Sequence, residues 1–464
     1  MSEVNRLRKI PSVSEILELG LREPWASDYT REQLVTAIRE ELSESRERLG
    51  SEEKTDINRA HIVRDLRSRL QKLHEFSLRS VINATGIIVH TNLGRAPLAG
   101  DVAKHVSEIA SGYSNLEFDL EKGERGSREK HVEKFLTRLF PIEAAVVVNN
   151  NASALLLILN TLAEGKEVIV SRGELIEIGG SFRLPEIMKK SGAILREVGT
   201  TNKTRLNDYR KAIDQNTALI LSVHPSNYRI IGFTEKPSLS ELCLLGREFG
   251  IPVVEDEGSG IFLNLEAFGI SDEPRVLQSF EEGVDLVCFS GDKILGGPQA
   301  GIICGKKEWI EKLRGNSLFR ALRVDKMVYA ALEATLLLYL KGEASRIPVI
   351  SMLSASEVEL KNRGKKWLSQ LRKKFPNAEW ELESTTCYVG GGVAPMKGIP
   401  SVAIVLSHPD FSANVISQRL RELDPPVITR IEEERLFFEL RTLSTKDEDL
   451  ISGALEKILT EQAG

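Results

Sequence analysis

The chain has 464 residues, 41% hydrophobic and 28% charged, a balance that suits folded globular domains and excludes a disordered or fibrous protein. That length exceeds what one ordinary core holds, so two or three domains are expected. The formal net charge of −5 excludes nucleic-acid binding through bulk basicity, leaving only local basic surface for it. In chain order, residues 1–75 read as a small helical domain. A helix is expected from Ser14; Leu34, Val35, Ile38 and Leu42 keep helical spacing, and Ile62, Val63, Leu66, Leu70 and Leu73 resume it after a polar stretch at 50–56. The segments Leu7-Arg8-Lys9 and residues 64–69 are candidates for phosphate contacts, against the plainer reading of solvated faces of mixed charge.

Over residues 76–335 strands alternate with helices, with apolar runs at 144–148, 168–170, 218–223, 251–256, 284–289 and 302–304. This predicts an α/β domain, a mostly parallel sheet between helices, left by a helix rich in Ala and Leu at 326–340. Residues 336–464, with apolar runs at 402–406 and 436–440, read as a smaller α+β domain. Cys243, Cys288, Cys304 and Cys387 are scattered, with no Cys-x-x-Cys pair and no histidine at ligand spacing, so neither disulfides nor a metal site is expected. No apolar run reaches bilayer-spanning length and the amino terminus lacks a signal-peptide core, so a cytoplasmic enzyme without membrane association is expected.

Three strand ends carry chemistry. The run 284–289 leads into Ser290-Gly291-Asp292-Lys293-Ile294-Leu295-Gly296-Gly297, placing a lysine where open α/β sheets bind ligands. Partial desolvation there lowers an amine's pKa and makes it a nucleophile toward an aldehyde such as pyridoxal phosphate. The run 251–256 ends in Asp256 before Glu257-Gly258-Ser259-Gly260, an acid suited to hold a proton on the ring nitrogen of that cofactor. The run 144–148 passes through Asn149, Asn150 and Asn151 into Ala152, Ser153 and an apolar helix, whose amino terminus is a potential phosphate site. Taken singly, the three have plain readings: a lysine in a glycine turn, a helix-capping acid, and an Asn/Ser cap.

A family resemblance covers nearly the whole chain. It is carried by Leu7-Arg8-Lys9-Ile10-Pro11-Ser12-Val13, by Val81-Ile82-Asn83-Ala84-Thr85-Gly86 and His90-Thr91-Asn92-Leu93-Gly94-Arg95-Ala96-Pro97, and by Gly123-Glu124-Arg125-Gly126-Ser127-Arg128. Glu177-Ile178-Gly179-Gly180-Ser181-Phe182-Arg183, Gly199-Thr200-Thr201-Asn202, His224-Pro225-Ser226-Asn227-Tyr228-Arg229, the Lys293 segment and Arg320-Ala321-Leu322-Arg323-Val324-Asp325-Lys326 continue it. In these motifs the chain resembles the bacterial selenocysteine synthases, the L-seryl-tRNA(Sec) selenium transferases. Glu257 departs from the pattern, which leads one to expect an apolar residue there.

The resemblance implies the aminotransferase-like architecture known as fold type I, with a tRNA-binding amino-terminal module and a ring of ten subunits built from five dimers. It implies conversion of L-seryl-tRNA(Sec) to L-selenocysteinyl-tRNA(Sec) through an aminoacrylyl-tRNA, with selenophosphate as donor. By the same resemblance Lys293 and Asp292 are catalytic. Lys293, Asp256, Asn151, Ala152, Ser153, His224 and Ser290 hold pyridoxal phosphate, and Arg95, Arg320 and Arg323 bind the selenophosphate anion. Arg125 and Arg128 are looser candidates for contact with cofactor or RNA. No metal and no DNA are implied. Two other readings remain: a pyridoxal phosphate lyase eliminating from a small amino acid or amino sugar phosphate, which needs no amino-terminal module, and a catalytically idle RNA-binding protein, which needs no Lys293.

Overall fold

Seven strands of the computed structural model form one sheet: β1 (Ala144–Val148), β2 (Glu167–Ser171), β3 (Ile194–Val198), β4 (Thr217–Val223), β5 (Val253–Gly258), β6 (Leu286–Ser290) and β7 (Gly301–Gly305). They lie in the order β1-β7-β6-β5-β4-β2-β3, and only β7 runs against the rest. The apolar runs make central strands because both faces are covered. Val147, Ile220, Val253, Val287 and Phe289 pack with the helices Lys130–Leu139, Leu239–Phe249 and Lys326–Leu340. Their sequence neighbours Val146, Val148, Leu219, Leu221, Val254, Leu286 and Cys288 turn to the other side, against Asn151–Ala163, Leu184–Ser191 and Lys307–Gly315. Side chains alternate across a strand, so a continuous apolar run serves a doubly covered sheet. Each fully buried Val, Leu or Phe contributes about 1.5–3 kcal/mol of transfer free energy.

This topology decides where the site lies. Strands β1, β4, β5 and β6 share one direction, so the segments leaving their carboxyl ends gather at one edge. Asn149–Asn151, His224 and Lys293 lie on these segments, and Asp256 lies within the last residues of β5 itself.

A second sheet has six strands in the order Ile82–Ala84, Val427–Glu432, Arg435–Glu439, Val393–Ser407, Glu379–Gly390 and Ile87–Val89. Residues 82–89 thus leave the chain segment expected to form the large domain and complete the carboxyl-terminal sheet. That sheet packs through Val402, Ile404, Leu406 and Phe438 on Trp367 of the helix Glu357–Lys374. Ser356 and Glu359 cap this helix reciprocally.

The structure describes residues 11–50, 59–179, 182–271 and 273–460. The chain divides into two units, Met1–Ser80 and Val81–Gly464. In the first, the helices Val13–Gly20, Arg31–Gly50 and Arg59–Leu73 surround Ile16, Leu34, Ile38, Leu42, Ile62, Leu66 and Leu70. The helix Val13–Gly20 starts one residue before Ser14, because Ser12 caps it: Ser12 accepts from the Glu15 amide and Glu15 reaches back to the Ser12 amide. Arg64 and Arg67 are exposed, and Arg69 pairs with Glu40, Glu41 and Glu44. Leu7-Arg8-Lys9 lies outside the described residues. No helix among the described residues is long and apolar enough to cross a membrane.

Candidate active site around Lys293

Lys293 stands in a turn that only small residues permit. The Gly291 amide donates to the Ala300 carbonyl at 2.8 Å and the Gly297 amide to the Gly291 carbonyl at 2.9 Å. A Cβ on Gly291 would sit 2.5 Å from the Pro298 carbonyl oxygen. On the other side the Ile294 amide donates to the Ser259 carbonyl, so the turn after β5 supports the lysine segment. The lysine is 8% exposed and Asp256 6%. Burial pulls the Lys293 amine below its ordinary pKa, against the opposing carboxylates of Asp256, Glu257 and Asp292. A buried amine with reduced proton affinity beside a buried acid is the condition for Schiff-base chemistry.

Asp256 accepts a 2.7 Å hydrogen bond from the Asn151 amide nitrogen. Burial raises its pKa, and the Asn151 bond and Lys293 counteract that. Asn151 therefore meets Asp256 rather than serving only as a phosphate donor, and its own amide oxygen is buried without a partner. Asn150 caps the helix Asn151–Ala163, accepting from the Ser153 amide at 2.9 Å and from its hydroxyl at 3.1 Å. Both Ser153 donors are thus engaged by the cap, which leaves the Asn151 and Ala152 amides as the helix-end groups for an anion.

The cavity around Lys293 measures about 240 Å³, and Arg95, Asn151, Ala152, His224, Asp256 and Ser290 line it. His224 donates its backbone amide to the Asp256 carbonyl, and its Nε2 lies 3.2 Å from Glu273 Oε2. Arg95, whose φ of 64° is left-handed, places its guanidinium 2.6 Å from Asp292. The Ala96 amide donates to the Asp292 carbonyl, so backbone and side chain join the same two segments.

Arg320 and Arg323 are not in this cavity. With Arg125 and Arg128 they line a second one of about 360 Å³. The two cavities flank one turn: the Asn149 amide donates to the Leu322 carbonyl while Asn150 and Asn151 face Lys293. Glu117 lies beneath the arginines, hydrogen-bonded to Arg128 and 3.8 Å from Arg323. Arg128 holds that carboxyl below the usual carboxylate range. Arg128 also donates to the Val324 carbonyl, a bracing role that its glycine-flanked motif does not disclose.

Glu257 is fully buried. Its Oε2 accepts from the amides of Ser259 at 3.1 Å and Gly260 at 2.6 Å, and its Oε1 has no partner. Burial, reinforced by Glu255 and Asp256, pushes its pKa up to about 8. It therefore closes the turn beneath Lys293 as an acid whose charged form burial disfavours, a role compatible with a position expected to be apolar. Glu273 is the site residue that sequence reasoning missed, since it comes from an irregular loop with no motif around it.

Residues 81–444 match the family described as L-seryl-tRNA selenium transferase. The L-seryl-tRNA(Sec) selenium transferase of Aquifex aeolicus is 47% identical over 455 residues, spanning 98% of this chain and 99% of that protein. The chain belongs to this family. The enzyme of the same name from Caldanaerobacter subterraneus is 48% identical over 452 residues, covering 97% of this chain and 98% of its own. Among solved structures, that of D-glucosaminate-6-phosphate ammonia-lyase superposes with a TM-score of 0.58 at 18% identity, covering 85% of this chain and 98% of that one. At that identity the likeness concerns the fold alone, an α/β architecture with a mostly parallel sheet.

Proposed function

We propose that this chain converts L-seryl-tRNA(Sec) to L-selenocysteinyl-tRNA(Sec), using pyridoxal phosphate held at Lys293 and selenophosphate as the selenium donor. The observation that carries the reading is Lys293 itself, buried beside Asp256 in a chain that belongs to this family over nearly its full length. The residues fit the cofactor: an amine of lowered pKa, a buried acid for the ring nitrogen, and a capped helix amino terminus for the phosphate. When bound, pyridoxal phosphate supplies an electron sink for the negative charge left by loss of the serine Cα proton.

The chain's own groups do the rest. Lys293 Nζ, whose pKa burial lowers, takes and returns the Cα proton. Asp256, oriented by the Asn151 amide, holds a proton on the ring nitrogen. His224 and Ser290 wall the cavity, and the Asn151 and Ala152 amides receive the phosphate. Arg320 and Arg323 collect selenophosphate in the neighbouring cavity, where planar guanidinium groups bind phosphate oxygens bidentately. A multiply charged phosphate also competes with Asp292 for Arg95. The amino-terminal helical unit engages the tRNA, and the subunits close into a cytoplasmic ring of five dimers. Purified protein incubated with seryl-tRNA(Sec) and selenophosphate should yield selenocysteinyl-tRNA, and borohydride should fix the cofactor on Lys293. Absence of both would overturn the reading.

A further inference from the structure

Among the described residues, the cavity around Lys293 contains three groups able to carry positive charge, and each faces a carboxylate. Arg95 is paired with Asp292 at 2.6 Å, His224 lies 3.2 Å from Glu273, and Lys293 is in the field of Asp256. The Arg95 pair is built in rather than incidental: Asp292 is 6% exposed, its carbonyl accepts from Ala96, and Arg95 is held in a left-handed backbone conformation. Glu273 is likewise nearly buried, its side chain 9% exposed.

A free amino acid brings a carboxylate into this cavity, and a carboxylate taken from water without a cationic partner is strongly disfavoured. The aminoacyl end of a tRNA is different, because its carboxyl group is an ester. We propose that the Arg95–Asp292 and His224–Glu273 pairs select for an esterified serine: a free α-carboxylate, carrying a single charge, must displace Asp292 or Glu273 to reach either group, which an ester has no need to do. This inference deepens the proposed function and rests on it. It makes Asp292 and Glu273 specificity determinants that act by repulsion of the wrong substrate as much as by attraction of the right one.

The test uses the cofactor-loaded protein and reads its visible absorption while L-serine, L-serinamide or L-serine methyl ester is added at fixed pH and ionic strength. The amide and the ester should perturb the spectrum at concentrations lower than serine by about tenfold or more. Asp292→Asn, which releases Arg95, should narrow that ratio by improving serine, and Glu273→Gln should narrow it by removing the carboxylate 3.2 Å from His224. Equal response of the unmodified protein to all three compounds would overturn the inference. So would an unchanged ratio in both variants. If Asp292→Asn does not retain cofactor, the unmodified protein and Glu273→Gln decide. Conversion of seryl-tRNA is measured in parallel: conversion with a flat ratio refutes the filter alone, whereas ester preference without conversion counts against the proposed function.

Discussion

Glu257 shows how one side chain couples this site to pH. Its pKa of about 8 in the folded protein stands well above the ordinary glutamate value, with burial the main cause. Between roughly pH 4.5 and 8 the native state holds a proton that the unfolded chain has released, so this carboxyl subtracts stability as pH rises, by up to about 1.4 kcal/mol per pH unit. Glu257→Gln removes that dependence while its amide oxygen can still accept from Ser259 and Gly260. The melting temperature of the variant relative to the parent should therefore increase from pH 5 to pH 8. Lys293 and Glu255 titrate in both proteins but are coupled to Glu257, so the difference reports Glu257 together with its effect on these two neighbours; a difference that stays constant with pH would show that this carboxyl is already ionised in the native state.

At the scale of elements, the strand ends do the positioning, and two substitutions separate support from chemistry. Asn150→Ala removes the cap of the helix Asn151–Ala163 and should cost about 1 kcal/mol in chemical denaturation while Lys293 still binds cofactor. Gly291→Ala drives a Cβ into the Pro298 carbonyl, a backbone atom that cannot yield locally. It should cost about 1–3 kcal/mol and also weaken cofactor absorbance, because the turn it distorts carries Lys293. The buried strands β1, β4, β5 and β6 are legible in the sequence because double coverage makes them continuous apolar runs, and with them Lys293 and Asp256. Strand β3 is not, since it lies at the sheet edge with four of its five residues at least partly exposed and reads Ile-Leu-Arg-Glu-Val. Glu379–Gly390 alternates charged and apolar residues, and Ile82–Ala84 and Ile87–Val89 are too short to announce themselves; only pairing with distant strands makes them structure. In the site, three consecutive asparagines conceal which one caps and which one meets Asp256. Glu273 reaches His224 through tertiary folding alone.

At the scale of the whole molecule, the division between Ser80 and Val81 separates two units, each with its own core. The first unit has its own apolar centre of Ile16, Leu34, Ile38, Leu42, Ile62, Leu66 and Leu70, while the second contains both sheets and all residues around Lys293. A net charge of −5 gives the protein no general attraction for RNA, so tRNA recognition must be localised; on the first unit Arg67 is exposed, and Arg64 is exposed 3.5 Å from Asp65. Removal of residues 1–80 should then leave a protein that folds, binds pyridoxal phosphate and can be reduced onto Lys293, yet no longer converts seryl-tRNA(Sec). Cofactor absorbance and a tRNA product assay on the same preparation distinguish the two effects. Undiminished conversion by the shortened chain would transfer tRNA recognition to the second unit. Loss of cofactor would instead show that the first unit sustains the fold around Lys293.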